Sequence, residues 1–272
     1  MIRKVTLVFA AFLLSAAGVL AQGSTITPGN LTKAEIDSMV AKFTANESSF
    51  RQALTDYVFN RYATISTVGL GGQTTGVYRR DSFMTFTSDG KRFEKITFSP
   101  MSTLTEISIT PEDLEDLGGV NPFALEPRNV SQYNFQYLGK EKIDDLNLYV
   151  FEVAPKVMPD PKSGIRLFTG RVWVDDEDMM IVKSKGKAVP ETKKNKFPVV
   201  ETWRENVDGK YWFPSFASAD DQLVFDSGQV VRMRMRVKYA DYKMGRTDVI
   251  VGDAEDVSDQ PQPSPSPTPK KP

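Results

Sequence analysis

The densest group of potential metal ligands in the sequence is an acidic run between two apolar runs. Residues 175–178 are four consecutive acids, preceded by Trp173 and Val174 and followed by the apolar stretch 179–182. An EF-hand calcium loop needs alternate oxygen ligands, a central glycine and a distal glutamate, and this segment has neither residue at the required place. Two apolar runs joined by a few polar residues are typical of a β-hairpin. We therefore interpret the run as a turn, with a weak cation site as the alternative.

Two further motifs match catalytic or phosphate-binding patterns only in part. Ser88 and Lys91, in SDGK, have the Ser-x-x-Lys spacing that some acyl enzymes use for nucleophile and base. Such a serine should begin a helix, whereas the Asp-Gly pair between them predicts a hairpin turn. The glycine-rich segment GLGGQTTG, residues 69–76, lacks the Gly-Lys-Ser/Thr ending of a P-loop and leads into a strand. We interpret it as a mobile loop.

A row of cations alternates with apolar residues in VVRMRMRVKYADY, residues 230–242. In a strand, alternate side chains point to opposite faces, so one face carries the Met and Val side chains and the other carries Arg232, Arg234, Arg236 and Lys238. The cationic row could bind phosphate or anionic lipid. The more common arrangement is a solvated face whose cations pair with acids on a neighbouring strand. The segment predicts one dry and one wet side of a sheet.

Missing residue types restrict the chemistry further. The chain contains no cysteine and no histidine, which excludes disulfides, thiolate nucleophiles, Cys/His zinc sites and Ser-His-Asp triads within it. The formal net charge of −1 gives no global attraction to nucleic acid. Paired carboxylates for glycoside cleavage stay open, although no spacing favours a particular pair. We expect neither an enzyme nor a cofactor, with a carboxylate-based hydrolase as a remote alternative.

The N-terminus has the features of a secretory signal. Arg3 and Lys4 precede an almost wholly apolar stretch, residues 5–20, which is followed by the small Ala21. The stretch is short for a membrane span, so cleavage after Ala21 is predicted, with an uncleaved anchor helix as the alternative. Gln22 stands where a bacterial lipoprotein would have cysteine. We expect a periplasmic or secreted protein with no membrane span after cleavage.

Periodicity divides the rest of the chain into one domain with two flanking segments. After a linker at 22–30, residues 31–57 have apolar residues at helical spacing and a Thr32–Glu35 capping box, with Asn46 as a point where the helix could break. A short helix is predicted at 111–119. Strands are predicted at 57–67, 76–87, 91–98, 103–109, 132–138, 147–154, 165–175, 179–186, 198–206, 211–216 and 229–243. Strands in succession predict an antiparallel meander. The domain should end near residue 245, before a Pro-rich disordered tail at 246–272.

The segments FTGRVWVDDEDMMIVKSKGK and FPVVETWRENVDGKYWFPS, within residues 165–216, resemble the LolA-like periplasmic lipoprotein-sorting superfamily. The resemblance also covers the layout of residues 31–243, which is a helix followed by a long meander. It implies an α+β fold, a strongly curved antiparallel half-barrel of about 10–11 strands, with the long N-terminal helix and a short helix covering its concave face. It further implies an apolar cavity for acyl chains, with Trp173 and Asp175 in a structural role at a strand end.

The residues themselves agree with an apolar site on the dry face of the sheet. Flexible Met side chains suit irregular apolar ligands, and aromatic residues alternate in YNFQYLG and in its expected hairpin partner. We predict that a lipid or lipoprotein acyl chain contacts Phe135, Tyr137, Phe151, Met233, Met235 and Val237. The alternatives are an ordinary filled core and a non-catalytic interaction or stress-sensor domain that binds another envelope protein.

Overall fold

Strands dominate the computed structural model, which describes residues 26–87, 91–110, 113, 125–193 and 195–245. Over these residues one sheet contains ten strands. They are β1 (Tyr57–Val68), β2 (Thr74–Phe86), β3 (Arg92–Phe98), β4 (Tyr133–Ile143), β5 (Leu146–Pro155), β6 (Leu167–Asp175), β7 (Ile181–Val189), β8 (Val200–Val207), β9 (Tyr211–Val224) and β10 (Val230–Met244). Two helices accompany the sheet, α1 (Lys33–Leu54) and α2 (Pro127–Val130).

The sheet is open, and neighbouring strands are antiparallel throughout. Its order is β3-β2-β1-β10-β9-β8-β7-β6-β5-β4, so β3 and β4 form the two outer strands. These two strands follow each other in sequence, which means that the connection 99–132 must cross from one side of the sheet to the other. The architecture is a curved α+β half-barrel with helices on its concave face, and the predicted fold class and strand number are confirmed.

The alternating strand directions give the half-barrel two distinct edges. Odd-numbered strands end, and even-numbered strands begin, at what we call the upper edge. Connections 69–73, 156–166, 190–199 and 225–229 lie at the upper edge, together with both ends of the crossing 99–132. The opposite, lower edge carries tight turns, including 144–145, 176–180 and 208–210, and the residue after β10, Gly245, where the description ends.

Helix α1 lies along the lower part of the concave face. The predicted capping box is present, because Thr32 Oγ1 accepts from the Glu35 amide and the Glu35 carboxylate accepts from the Thr32 amide. The helix runs through Asn46 without a break, and the Asn46 amide donates to the Asp178 and Met179 carbonyls at 3.0 Å. That contact fixes α1 to the β6–β7 turn, so the polar residue that suggested a break instead anchors the helix.

The core is divided between the two faces of the sheet. Under α1, Phe43 packs against Phe151 with ring centroids 5.4 Å apart, and Phe50 packs against Phe213 at 5.8 Å. The convex face has an apolar cluster of its own, formed by Leu148, Val150, Trp173 and Val182 and covered in part by Ile26. The expectation of one dry and one wet side therefore holds for β10, and both faces are apolar around β5 and β6.

One predicted strand is wrong. Residues 103–109 adopt irregular structure, and the crossing runs over β2 at Gly76, where an added Cβ would lie 2.7 Å from the Thr103 carbonyl oxygen. The Thr103 amide donates to the Val77 carbonyl at 2.9 Å. Leu104, Ile107 and Ile109 then pack against the apolar cluster on the sheet. Their alternation reflects a segment that covers the sheet face instead of joining the sheet.

The acidic run is the β6–β7 turn. Asp175 is buried at the end of β6, and its carboxylate accepts from the amides of Glu177 and Asp178 at 3.2 Å. Burial raises the pKa of the Asp175 carboxyl, while these amide donors act in the opposite direction. Asp178 accepts from the Met180 amide at 2.9 Å and from the Trp212 indole at 2.7 Å. The carboxylates of Asp175 and Asp178 are therefore used to fix the turn.

Several predictions concern residues outside the described part of the chain. These are the signal at 1–21, residues 22–25 of the linker at 22–30, the helix at 111–119 except Asp113, and the tail at 246–272. The SDGK turn lacks a description at 88–90, although the strands on either side of it, β2 and β3, pair as an antiparallel hairpin.

Candidate ligand cavity

A cavity of about 550 Å³ lies on the concave face, between α1 and the upper edge. Strands β10, β9, β8, β7 and β6 form its floor, and parts of the connections 99–132 and 190–199 cover it. Its apolar lining is Ile65, Ile107, Ile109, Leu125, Phe168, Val172, Ile181, Ala188, Phe197, Pro198, Val200, Pro214, Ala217, Leu223, Phe225, Met233, Met235 and Val237.

Small side chains explain why the floor is hollow here. Met235 on β10 lies between Ile65 on β1 and Ala219 on β9, and Val237 lies between Ala63 and Ala217. Directly opposed side chains on one face fill the space above neighbouring strands, and alanine leaves most of that space empty. Because the alanine side chains fill little of the space above β9, the Met and Val side chains of β10 border an empty space.

Strand β7 shows the same pattern on the other side of the cavity. Ser184, Gly186 and Ala188 line it and Lys187 reaches its margin, whereas Lys183 and Lys185 lie on the convex face. A Cβ on Gly186 would approach the Phe168 ring to 2.5 Å. Because Gly186 has no side chain, the Phe168 ring can pack directly against β7, where it forms part of the cavity wall.

A buried ion pair closes the cavity toward α1. Arg204 of β8 donates to both Glu47 carboxylate oxygens, at 2.6 and 3.0 Å, and to the Ile181 carbonyl at 3.1 Å. The Arg204 guanidinium also lies over the Phe50 ring, 4.3 Å from its centroid. The side chains of Glu47 and Arg204 are 1% and 3% exposed. Because each charge has its counterion at hydrogen-bond distance, the pair presents little net charge to the cavity.

Two lysines at the cavity margin are also paired with acids. Lys187 Nζ lies 2.9 Å from Glu191, and Lys196 Nζ lies 3.0 Å from Asp226. Glu106 accepts from the Thr75 hydroxyl at 2.8 Å. Tyr239 is a polar member of the lining, and burial raises the pKa of its hydroxyl. The interior that remains is mainly aliphatic, with polar groups held by partners at its margin.

The structure separates the six predicted contact residues into two groups. Met233, Met235 and Val237 line the cavity. Phe135, Tyr137 and Phe151 belong to a packed cluster under the N-terminal half of α1 and are not among the lining residues. Phe43 of α1 packs against Phe135 at a centroid distance of 5.8 Å. The helix therefore fills the space above the aromatic strands, which the sequence pattern of β4 and β5 could not reveal.

The sequence patterns did not identify most of the residues that cover the cavity, nor the small residues that form its floor. Ala217 and Ala219 alternate with Ser218 and Asp220 in β9, a pattern that signals a strand with an apolar face but gives no hint of a hollow. Glu47 and Arg204 are 157 residues apart, so no local signal pairs them. Phe197 and Pro198 lie in a connection and follow no period.

Metal-ligand groups and membrane-spanning helices are both absent from the described part of the chain. Among the described residues, no group of three or more Asp, Glu, His or Cys side chains is arranged to hold a metal ion. Within the same ranges, neither helix combines the length and apolar character that crossing a membrane would require.

Comparison with known proteins gives a loose structural similarity. No protein-family model and no curated protein matches the chain. A LolA superfamily protein from Nitrosomonas europaea is 16% identical over 75% of this chain and 94% of its own, with a TM-score of 0.34. A DUF1329 family protein from Desulfovibrio piger is 13% identical over 80% and 95%, with a TM-score of 0.38. A putative outer membrane lipoprotein-sorting protein domain from Vibrio parahaemolyticus is 14% identical over 75% and 92%, with a TM-score of 0.34.

Two of these structures are described as a LolA superfamily protein and a lipoprotein-sorting protein domain, the superfamily that the pattern in residues 165–216 resembles. The predicted resemblance is therefore confirmed as a loose one. With TM-scores of 0.38 and below, the similarity concerns the general layout and gives no information about the cavity.

Proposed function

We propose that the protein is an exported binding module that holds an acyl chain of a lipid or lipoprotein in the concave-face cavity. The observation that carries the proposal is the cavity itself, which has an aliphatic floor between Met233, Met235 and the small residues of β9 and β7. Its volume of about 550 Å³ falls in the range of roughly 300–1,000 Å³ that is usual for small-molecule sites.

The character of the lining favours a flexible apolar ligand. Methionine adapts its three torsions to irregular shapes, and Met233 and Met235 of β10 occupy the floor. The buried charges nearest to a bound acyl chain would be those of Glu47 and Arg204, which neutralise each other. A charged or strongly polar ligand would give up hydrogen bonds to water in this mainly aliphatic cavity, whereas an acyl chain has none to give up and is stabilised by leaving water.

The same geometry argues against the two alternatives. A filled core would support an interaction or sensor domain, and the concave face between α1 and the upper edge is hollow. A hydrolase would need a carboxylate available for proton transfer. Three carboxylates line the cavity: both oxygens of Glu47 accept from Arg204, the Asp113 carboxylate accepts from the Thr110 amide and hydroxyl at 2.9 Å, and Glu106 Oε1 accepts from the Thr75 hydroxyl at 2.8 Å.

A dansyl-labelled fatty acid should bind the wild-type protein saturably, with an increase in emission as the probe leaves water. Unlabelled palmitate should displace the probe, because both would occupy the same cavity. A dansyl amide without the acyl chain is the matched control and should give no saturable signal. Equal signals from both probes, or no displacement by palmitate, would contradict acyl-chain binding.

We also propose that the mature protein begins at Gln22 and consists of a folded domain, 31–245, between the linker and the Pro-rich tail. The intact mass of the exported protein should lack residues 1–21. Limited trypsin digestion should then remove the tail after Arg246 and leave the domain intact. A mass that retains residues 1–21, or early cleavage within the strands, would contradict these boundaries.

A further inference from the structure

Exposed aromatic side chains are concentrated in one row on the convex face of the sheet. Tyr62, Phe98 and Phe216 are 40%, 48% and 38% exposed. Strand register joins them in a line that crosses the sheet as Phe98, Asp81, Tyr62, Lys238, Phe216 and Trp203 and ends at Lys183. Lys238 alternates with the cavity-lining Val237, which places the line on the convex face. Directly opposed side chains share a face, so these seven residues, which we call the aromatic row, form one surface feature.

Charged side chains separate the exposed rings at a regular interval. Tyr62 lies two strands from Phe98 and two strands from Phe216, which is about 9.5 Å at the usual strand spacing. The intervening residues are Asp81 and the exposed Lys238. The row therefore presents flat apolar groups at equal intervals, with a hydrogen-bonding group between each pair.

A second row on the same face, two residues from the aromatic row on each shared strand, is polar throughout. Its members from β2 to β7 are Arg79, Thr64, Arg236, Ser218, Glu201 and Lys185. It continues through Arg171 and Glu152, where a hollow of about 620 Å³ opens on the convex face. Both residues line this hollow, together with Lys185 and Glu201. These eight residues, which we call the polar row, place hydrogen-bond donors and acceptors beside the aromatic row.

Cations exceed acids on this face. The aromatic row has two cations and one acid, and the polar row has four cations and two acids. Beside them, Arg232 and Arg234 of β10 lie opposite Gln222 and Asp220 of β9. The formal net charge of the whole chain is −1, so the convex face is a basic region of a nearly neutral molecule.

We propose that the convex face binds a linear acidic polysaccharide along the aromatic row. A sugar ring has an apolar C–H face, which stacks on aromatic side chains, and hydroxyl groups at its rim, which both donate and accept hydrogen bonds. The aromatic row provides the stacking surface, and the charged side chains of the polar row provide donors and acceptors beside it. The excess cations provide hydrogen-bonded counterions for the carboxylates of the polymer. The cavity lies on the opposite, concave face, so this binding does not depend on an acyl chain.

The two rows suit a polysaccharide better than a protein or a nucleic acid. The core of a protein interface is depleted of charged residues, whereas Asp81 and Lys238 lie between the exposed rings. Single-stranded nucleic acid has a phosphate at each nucleotide and is bound in positively charged grooves, whereas both rows here contain carboxylates. Those carboxylates can accept hydrogen bonds from sugar hydroxyls, which a polysaccharide has on every ring.

Electrophoresis in native gels that contain hyaluronan, which has a carboxylate on every second sugar, tests the aromatic row. The polymer should retard the wild type, and Phe98→Ala should weaken binding roughly fivefold because one stacking surface is lost. The double variant Tyr62→Ala, Phe216→Ala should weaken binding further. Phe93→Ala is the matched control, since Phe93 is on the same strand as Phe98, is 45% exposed and lies outside the row. The control should migrate as the wild type does.

The charge requirement is tested with the same gels. Methyl-esterified hyaluronan, which lacks charged carboxylates, should retard the wild type less than hyaluronan does. The variant Arg171→Gln, Lys238→Gln should lose roughly fivefold in affinity for hyaluronan. The matched control is Lys42→Gln, Lys142→Gln, which removes two exposed lysines outside both rows and should bind as the wild type does.

Met235→Trp should bind hyaluronan as the wild type does even if it loses the fatty-acid probe, which separates this proposal from that of the cavity. Four results would each overturn the polysaccharide site. They are no retardation of the wild type by hyaluronan, equal effects of Phe98→Ala and Phe93→Ala, equal retardation by hyaluronan and its methyl ester, and retardation by poly(dT) as strong as that by hyaluronan.

Discussion

Replacing Arg204 by Met should lower the free energy of unfolding by about 3–5 kcal/mol. The substitution keeps an apolar stem over Phe50 but removes the cation that both oxygens of Glu47 depend on. Glu47 would then be a buried carboxylate without a counterion, and breaking a buried ion pair on one side typically has a cost of this size. Urea unfolding followed by circular dichroism gives the change directly.

An exposed pair provides the matched control for this experiment. Arg234 lies 3.0 Å from Asp220, but the two side chains are 44% and 61% exposed. Arg234→Met should therefore cost only about 0–1 kcal/mol. A loss from Arg204→Met no larger than that of the control would contradict the role of the pair in joining α1 to β8.

A double variant that removes both charges distinguishes the cost of an unpaired buried charge from the cost of lost packing. The double variant Glu47→Leu, Arg204→Met leaves no buried charge, and apolar replacements of buried pairs are often neutral or stabilising. The Ile181 carbonyl would still lose a donor, at about 1–3 kcal/mol. We expect the double variant to recover at least about half of the stability lost by Arg204→Met. A double variant less stable than the single one would contradict the cost assigned to the unpaired carboxylate of Glu47.

Met235→Trp should abolish binding of the dansyl-labelled fatty acid while changing the free energy of unfolding by less than about 1 kcal/mol. Met235 lines the cavity and is opposed on β9 by the small Ala219, so a larger ring has space to enter. In a filled core the same increase in volume would typically cost about 1–3 kcal/mol through overpacking. The expected combination, lost binding with a nearly unchanged urea midpoint, is specific to a cavity.

Val153→Trp is the control for the effect of ring size. Val153 is fully buried in the packed cluster under α1 and does not line the cavity. The added ring should destabilise the protein by at least the overpacking cost, because no hollow receives it. Similar destabilisation by Met235→Trp and Val153→Trp would mean that the concave face is closed around Met235.

Local periodicity predicted much of the fold because strands and helices are local events. The alternation in residues 230–242 placed Met233 and Met235 on the dry face of β10, and the Thr32–Glu35 pattern located the start of α1. Each such prediction depends on neighbours within a few residues. The resemblance in residues 165–216 predicted the half-barrel in which these elements are arranged.

The position of the cavity depended on tertiary relations that periodicity does not contain. Phe135 and Phe151 have the right alternation for a binding face, yet α1 covers them through Phe43. Residues 103–109 alternate like a strand, but the crossing between β3 and β4 places Ile107 and Ile109 over the sheet. Which apolar face is covered and which is hollow is decided by where α1 ends and where the crossing passes.

Native mass spectrometry of the protein purified from its own exported fraction tests acyl-chain binding most directly. The wild type should carry a lipid or acyl-chain adduct, and tandem dissociation should release a fatty-acid or phospholipid mass. Met235→Trp, prepared in the same way, should be found without the adduct. A wild type that carries no adduct and takes up none from added phospholipid would contradict the account, as would an adduct that Met235→Trp retains in full.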